Sequence, residues 1–158
     1  MKTRAEWDAA RIKLIEECAR LDDELDWSLA LHFGRDAEHV LTLSQNVIWR
    51  VPVDTKLDLL TEALERAHLI DEVPVLVPAL RSIFRIRNLL AHSVTIEHSA
   101  TVAKLRTVNR GKLKVEKIDA TSLQHAVRNA AACRFHFDRV EGRIGSTEAW
   151  GRLYGFDH

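Results

Sequence analysis

The sequence contains none of the short signatures that commonly mark nucleotide or hydrolase chemistry: no phosphate-cradling P-loop, no GxGxxG, no HExxH and no GxSxG. An excess of either charge is also missing, since 23 Lys and Arg balance 23 Asp and Glu. No overall field draws nucleic acid or a membrane surface to the chain, which argues against a non-specific DNA or RNA coat protein. No apolar run reaches the length of a bilayer span, and Met1-Lys2-Thr3-Arg4-Ala5-Glu6 lacks the apolar core of a secretory signal. Cysteine is scarce. Cys18 and Cys133 lie far apart in helix-like stretches rather than in a CxxC pair, and read as buried thiols of a reducing compartment. The expected location is cytoplasmic. There is no internal repeat and no low-complexity stretch.

What is present is globular: 158 residues, 46% hydrophobic and 29% charged, enough to bury a core. The expected fold class is all-α, an up-down helical bundle of about four to five helices with a small β-hairpin insertion before the last long helix. A single domain is expected over 1–158.

From Ala5 to Ala30, Trp7, Ala10, Leu14, Cys18, Leu21, Leu25 and Leu29 recur at spacings of three and four, which predicts one helix with one apolar face. The opposite face carries Glu16, Glu17, Asp22, Asp23, Glu24 and Asp26 and reads as a solvated acidic surface. Gly34 is the expected stop. Phe33 to Pro52 is irregular. Asp54 is the expected N-cap of a helix through Leu57, Leu60, Leu64 and Ala67, with a break around Asp71 to Pro74. Pro78 fits the first turn of the next helix, which carries Leu80, Ile83, Phe84, Leu90 and Ala91 and ends near His92. Leu105 and Val108, then Asn109-Arg110-Gly111, then Leu113, Val115 and Ile118 predict a β-hairpin. A last helix is expected to begin near Asp119 to Thr121 and run through Cys133 to Val140. The end, with Trp150, Tyr154 and Phe156, is expected to pack back onto the domain or onto a second copy.

The chemically pointed segment is Arg87-Asn88-Leu89-Leu90-Ala91-His92. At about 100° per residue, Leu76, Leu80, Ile83, Phe84, Leu90 and Ala91 form one arc, with Arg87 in its middle. An unpaired guanidinium inside an apolar face is costly. Arg87 therefore either has a buried anion partner or borders a cleft or subunit interface. Asn88 and His92 stand i and i+4 and can hydrogen-bond. Arg81 and Arg85 lie nearby, and such a concentration of arginine suits phosphate, whose oxygens match the guanidinium fork. Arg87 and His92 diverge by roughly 140° on an ideal wheel. They meet only if the helix breaks before His92 or if two copies pair.

These residues, together with Lys56-Leu57-Asp58-Leu59-Leu60, the break near Ile70-Asp71 and the helix from Leu80 to Ile86, resemble the HEPN superfamily, over about half the chain from Lys56 to Ser93. The resemblance implies an up-down helical bundle whose Arg-Asn-x-x-x-His motif cleaves RNA without a metal or other cofactor, often as a homodimer. Carried over residue by residue, His92 is the motif histidine, Arg87 the motif arginine and Asn88 the polar residue after it. His92 would serve as acid or base and Arg87 as the cation for the charged phosphorane. The resemblance also implies a toxin or phage-defence RNase, with RNA as ligand and an antitoxin or nucleotidyltransferase as partner. The alternative is a non-catalytic dimeric regulator, similar in architecture to the mannitol-operon repressors, in which Arg87 pairs with an acid and His92 caps helix carbonyls.

Between Lys104 and Lys117, six cations (Lys104, Arg106, Arg110, Lys112, Lys114 and Lys117) face the single acid Glu116. Such a hairpin either holds RNA backbone, through Lys104, Arg106, Arg110, Lys112 and Lys114, or uses its lysines to block edge-to-edge aggregation. Cys133 and His136 have a spacing suited to two metal ligands, but no second pair accompanies them, so a core thiol is the better reading and no metal is expected. His32, His39, His68, His98 and His125 receive no role.

Overall fold

The computed structural model describes residues 3–99, 101–109 and 112–144. Among these it is mostly helical, with five α-helices and a small three-stranded antiparallel sheet ahead of the last helix. The helices are α1 (Arg4–Phe33), α2 (Ala37–Asn46), α3 (Val53–Arg66), α4 (Leu76–Ala91) and α5 (Ala120–Ile144). The strands are β1 (Ser93–His98), β2 (Val102–Asn109) and β3 (Lys112–Asp119), in the order β1-β2-β3. No helix among the described residues is long and apolar enough to cross a membrane.

The chain divides into two compact units. One is drawn from the residues up to Ala19 and from Ser82–Ala131; the other comes from Arg20–Arg81 and from Ala132 onward. In the first, the sheet and its helices bury Trp7, Leu14, Cys18, Ile83, Phe84, Leu90, Ala103, Leu105, Ile118 and Leu123. In the second, the buried set runs from Leu21, Leu25 and Leu29 through Leu57, Leu60 and Leu64 to Phe137 and Val140. The apolar stripe predicted for α1 is thus buried at Trp7, Leu14, Cys18, Leu21, Leu25 and Leu29. Both cysteines are buried and form no disulfide, and burial pushes the Cys133 thiol up to about 11.

The structure departs from the sequence expectations where local chemistry outweighs periodicity. The stretch 33–52 is not irregular: it contains α2 and a short 3-10 turn at Ile48–Arg50. Asp36 caps α2 by accepting the His39 amide at 2.8 Å, and His39 Nδ1 accepts the Arg35 amide in return. Only Val40 of α2 is buried, so no stripe announced the helix. Gly34 does stop α1, but through crowding rather than a left-handed turn. A Cβ there would sit 2.2 Å from Val40 Cγ2.

Asp54 is not the cap of α3; Pro52 precedes the helix and Asp54 lies in the first turn. That helix ends at Arg66 with Ala67 as its C-cap, close to the expected end, and the chain turns away at His68, which takes the left-handed backbone at φ 57. The Leu69 amide donates to Leu64 at 2.8 Å and the His68 amide to Glu65 at 3.0 Å. This paired closure, with Leu69 buried beyond it, is a Schellman stop. The predicted hairpin gains a third strand, β1, antiparallel to β2. Its β-branched Val94 and Ile96 face outward and are exposed, so they gave no core signal.

The acidic face of α1 is not only a solvated surface. Lys56 of α3 is 2% exposed and its Nζ donates to Asp22 at 2.8 Å while standing 2.5 Å from Asp26 Oδ1. Glu24 accepts from Arg134 Nε at 2.7 Å. Desolvation raises the Asp26 carboxyl above its ordinary value, against the pull of Lys56.

Two stability outcomes follow. Lys56→Met leaves Asp26 without its cation and should lower urea-measured stability by about 3–5 kcal/mol at neutral pH. A raised carboxyl favours the protonated folded state, so this loss should shrink as pH falls through the raised Asp26 value; an unchanged midpoint at pH 7 would show that the pair contributes nothing. His68→Gly removes the Cβ penalty at the left-handed position and should raise stability by about 0.5–1 kcal/mol.

Candidate functional site

The motif segment sits where α4 ends and β1 begins. Four carbonyls at a helix C-terminus lack amide partners, and here Arg11 of α1 supplies a donor. Its Nη2 donates to the Leu90 carbonyl and, at 3.3 Å, to the Ser93 carbonyl. His92 lies between those two anchored residues and is exposed. Its amide still donates to the Asn88 carbonyl at 3.1 Å, so the helical path is unbroken up to His92.

Arg85, Leu89 and His92 are spaced by four and three residues and share one stripe of α4. Together with Ile86 they form one wall of a groove of about 670 Å³. The facing wall is Lys114, Glu116, Lys117 and Ile118 of β3, with Thr107 from β2 and Asp119 and Ser122 at the start of α5. The register explains this wall: Thr107 pairs with Lys114 and Leu105 with Glu116, so alternate residues of β3 turn toward the helices. Lys114 Nζ holds Glu116 at 3.1 Å. Asp119 is engaged as the cap of α5, accepting the Ser122 amide at 2.7 Å and its hydroxyl at 2.6 Å. Those bonds hold its carboxyl below the usual range. The groove therefore offers Arg85 as a cation clear of those two carboxylates' contacts, beside an exposed imidazole.

The predicted residues separate. His92, Arg85 and Lys114 come together on the groove; Arg87 and Asn88 do not line it. Because α4 stays regular, the wheel divergence of Arg87 and His92 holds. No side-chain bond joins Asn88 to His92 among the described residues; their link is the backbone one. Arg87 is half-buried, and its guanidinium stands 5.4 Å over the Phe84 ring. No carboxylate pairs with it among the described residues, so ring contact rather than a buried anion occupies the face that the sequence left open.

The remaining expected RNA contacts are dispersed. Arg81 pairs with Asp58 at 2.5 Å and Lys104 with Glu97. Arg106 lies on the opposite sheet face from Lys114, in the row of Val94 and Val115. Lys112 is exposed but away from the groove lining, and Arg110 lies outside the described residues, as does the tail with Trp150, Tyr154 and Phe156. Sequence reasoning missed Arg11, whose partners lie 79 and 82 residues away. It also passed over Lys117, although the basic segment contained it. No group of three or more His, Cys, Asp or Glu residues suited to a metal occurs among the described residues.

No family model matches the chain, and neither the curated proteins nor the solved structures contain a significant match.

Arg11→Ala should release the end of α4. Stability should fall by about 1–3 kcal/mol, the worth of charge-assisted hydrogen bonds, and amide exchange should accelerate first at His92 and Ser93. Equal exchange rates there in the variant would remove Arg11 from the positioning of the site.

Proposed function

We propose that the protein is a HEPN-like, metal-independent endoribonuclease that holds the RNA backbone in the groove between α4 and β3. One observation carries the reading: the exposed His92 imidazole shares that groove with Arg85 and Lys114. An imidazole beside fixed cations is the minimum for cleaving RNA through its own 2′-hydroxyl, because it moves a proton near neutral pH while the cations hold the charged phosphorane. In this reading the phosphate-binding arginine is Arg85, on the stripe of His92. Arg87 and Asn88 are available to a second copy, consistent with the homodimers that the resemblance implies. The helices are then the up-down bundle of that superfamily, and the biological role is that of a toxin or phage-defence nuclease restrained by an antitoxin or nucleotidyltransferase partner.

A second reading is favoured by the placement of Arg87. Half-buried, without a carboxylate partner among the described residues and off the groove, it suits a dimer contact in a non-catalytic regulator of the mannitol-repressor kind.

Incubation of total RNA with excess chelator separates the two. The enzyme should give 2′,3′-cyclic phosphate ends; His92→Ala should slow cleavage by about 10²–10⁴-fold and Arg85→Ala by about 10²–10³-fold. Intact RNA with the folded wild-type protein would overturn the nuclease. A dimer that dissociates on Arg87→Ala, with RNA untouched throughout, would establish the regulator.

A further inference from the structure

A second, smaller groove of about 190 Å³ touches the first and shares Ile86 and Ser122 with it. Its wall on α4 includes Ser82, and its wall on α5 includes His125 and Asn129. The linings order the two helices in opposite directions: His92 of α4 lines the first groove with Asp119 and Ser122, and Ser82 lines the second with Asn129. Ser122, His125 and Asn129 are spaced by three and four residues and share one stripe of α5. The grooves therefore form one trough, with His92 toward one end and His125 past the shared centre.

We propose that His125 is the second proton-transfer group of this trough, so that one chain carries both the base and the acid for RNA cleavage. The proposal rests on the nuclease reading above. Cleavage through the 2′-hydroxyl needs two proton transfers. As the O2′–P bond forms, a base takes the hydroxyl proton; as the P–O5′ bond breaks, an acid gives a proton to O5′. The products are a 2′,3′-cyclic phosphate and a 5′-hydroxyl, with no net proton change and no co-reactant. His92 is the base and His125, entering protonated, is the acid. Six residues of α4, about 9 Å of helix rise, separate His92 from Ile86, which lines the second groove together with His125. A phosphodiester laid over Ile86 and Ser122 has one imidazole on each side and Arg85 on its flank. His98, the other described histidine of this unit besides these two, is set against Trp7 with ring centroids 5.7 Å apart, away from the trough. His125 is exposed and makes no hydrogen bond or ion pair among the described residues, so its replacement leaves the fold intact.

The test compares two substrates in chelator: an RNA dinucleotide, and a uridine 3′-phosphodiester carrying p-nitrophenol, a leaving group that departs without a proton. His125→Ala should slow the dinucleotide at least a hundredfold and leave the p-nitrophenyl ester within about threefold of wild type, whereas His92→Ala should slow both. Circular dichroism of each variant checks the helix content. Equal loss on both substrates with His125→Ala, or no loss on either, while wild type cleaves and His92→Ala does not, would overturn the role of His125 and leave the nuclease reading standing. Failure of the wild-type protein on both substrates would overturn both.

Discussion

An α-helix leaves its last carbonyl oxygens without amide partners, and in α4 those oxygens stand directly ahead of His92. One guanidinium meets that deficit. Arg11, half-buried on α1, donates to Leu90 and Ser93, one residue inside the helix end and the first residue of the strand. The same bonds fix where the chain stops being helix and starts being sheet. Ser93, where β1 begins, pairs with Thr107 of β2, so the anchored residue is also the first of the β1–β2 ladder. That anchor holds the chain on both sides of His92, while the wall of Lys114 and Glu116 is held by the pairing of β3 with β2. Arg11 also does what the alternative role for His92 required of the imidazole, which leaves that imidazole exposed to the groove.

The second unit depends on a different kind of contact. Lys56 is buried against Asp22 and Asp26, a geometry in which the cost of desolvation nearly matches the attraction. The raised Asp26 carboxyl records that balance, with desolvation ahead of the lysine. Such a pair adds little to stability as it stands, but it penalises any packing of α3 on α1 that leaves either charge alone. It acts on specificity of register rather than on strength.

What could be read from the chain follows from the range of the forces involved. The stripe of α1, the cap of α5 at Asp119 and the reduced cysteines are local or periodic, and each stood in the sequence. α2 was not legible because it buries one residue, Val40, and β1 because its apolar side chains point outward. His68 in a left-handed stop defies the expectation of glycine or asparagine. Arg11 was beyond reach, since nothing local links it to residues about eighty positions later. Of the site, His92 and Arg85 were both named, but their pairing depends on a groove wall supplied by β3.

The spacing of the motif acquires a different meaning from this geometry. Seven residues bring Arg85 back to the stripe of His92, while five carry Arg87 well around the helix. A regular α4 therefore cannot present Arg87 and His92 to one phosphate from the same chain. The contact of Arg87 with the Phe84 ring holds its guanidinium on the other side, where it has no carboxylate among the described residues. Arg85 then answers to the groove and Arg87 to whatever covers that side. Within a nuclease of this architecture, Arg87 is left for a second copy, and on the groove side His92 works with residues that the motif does not name.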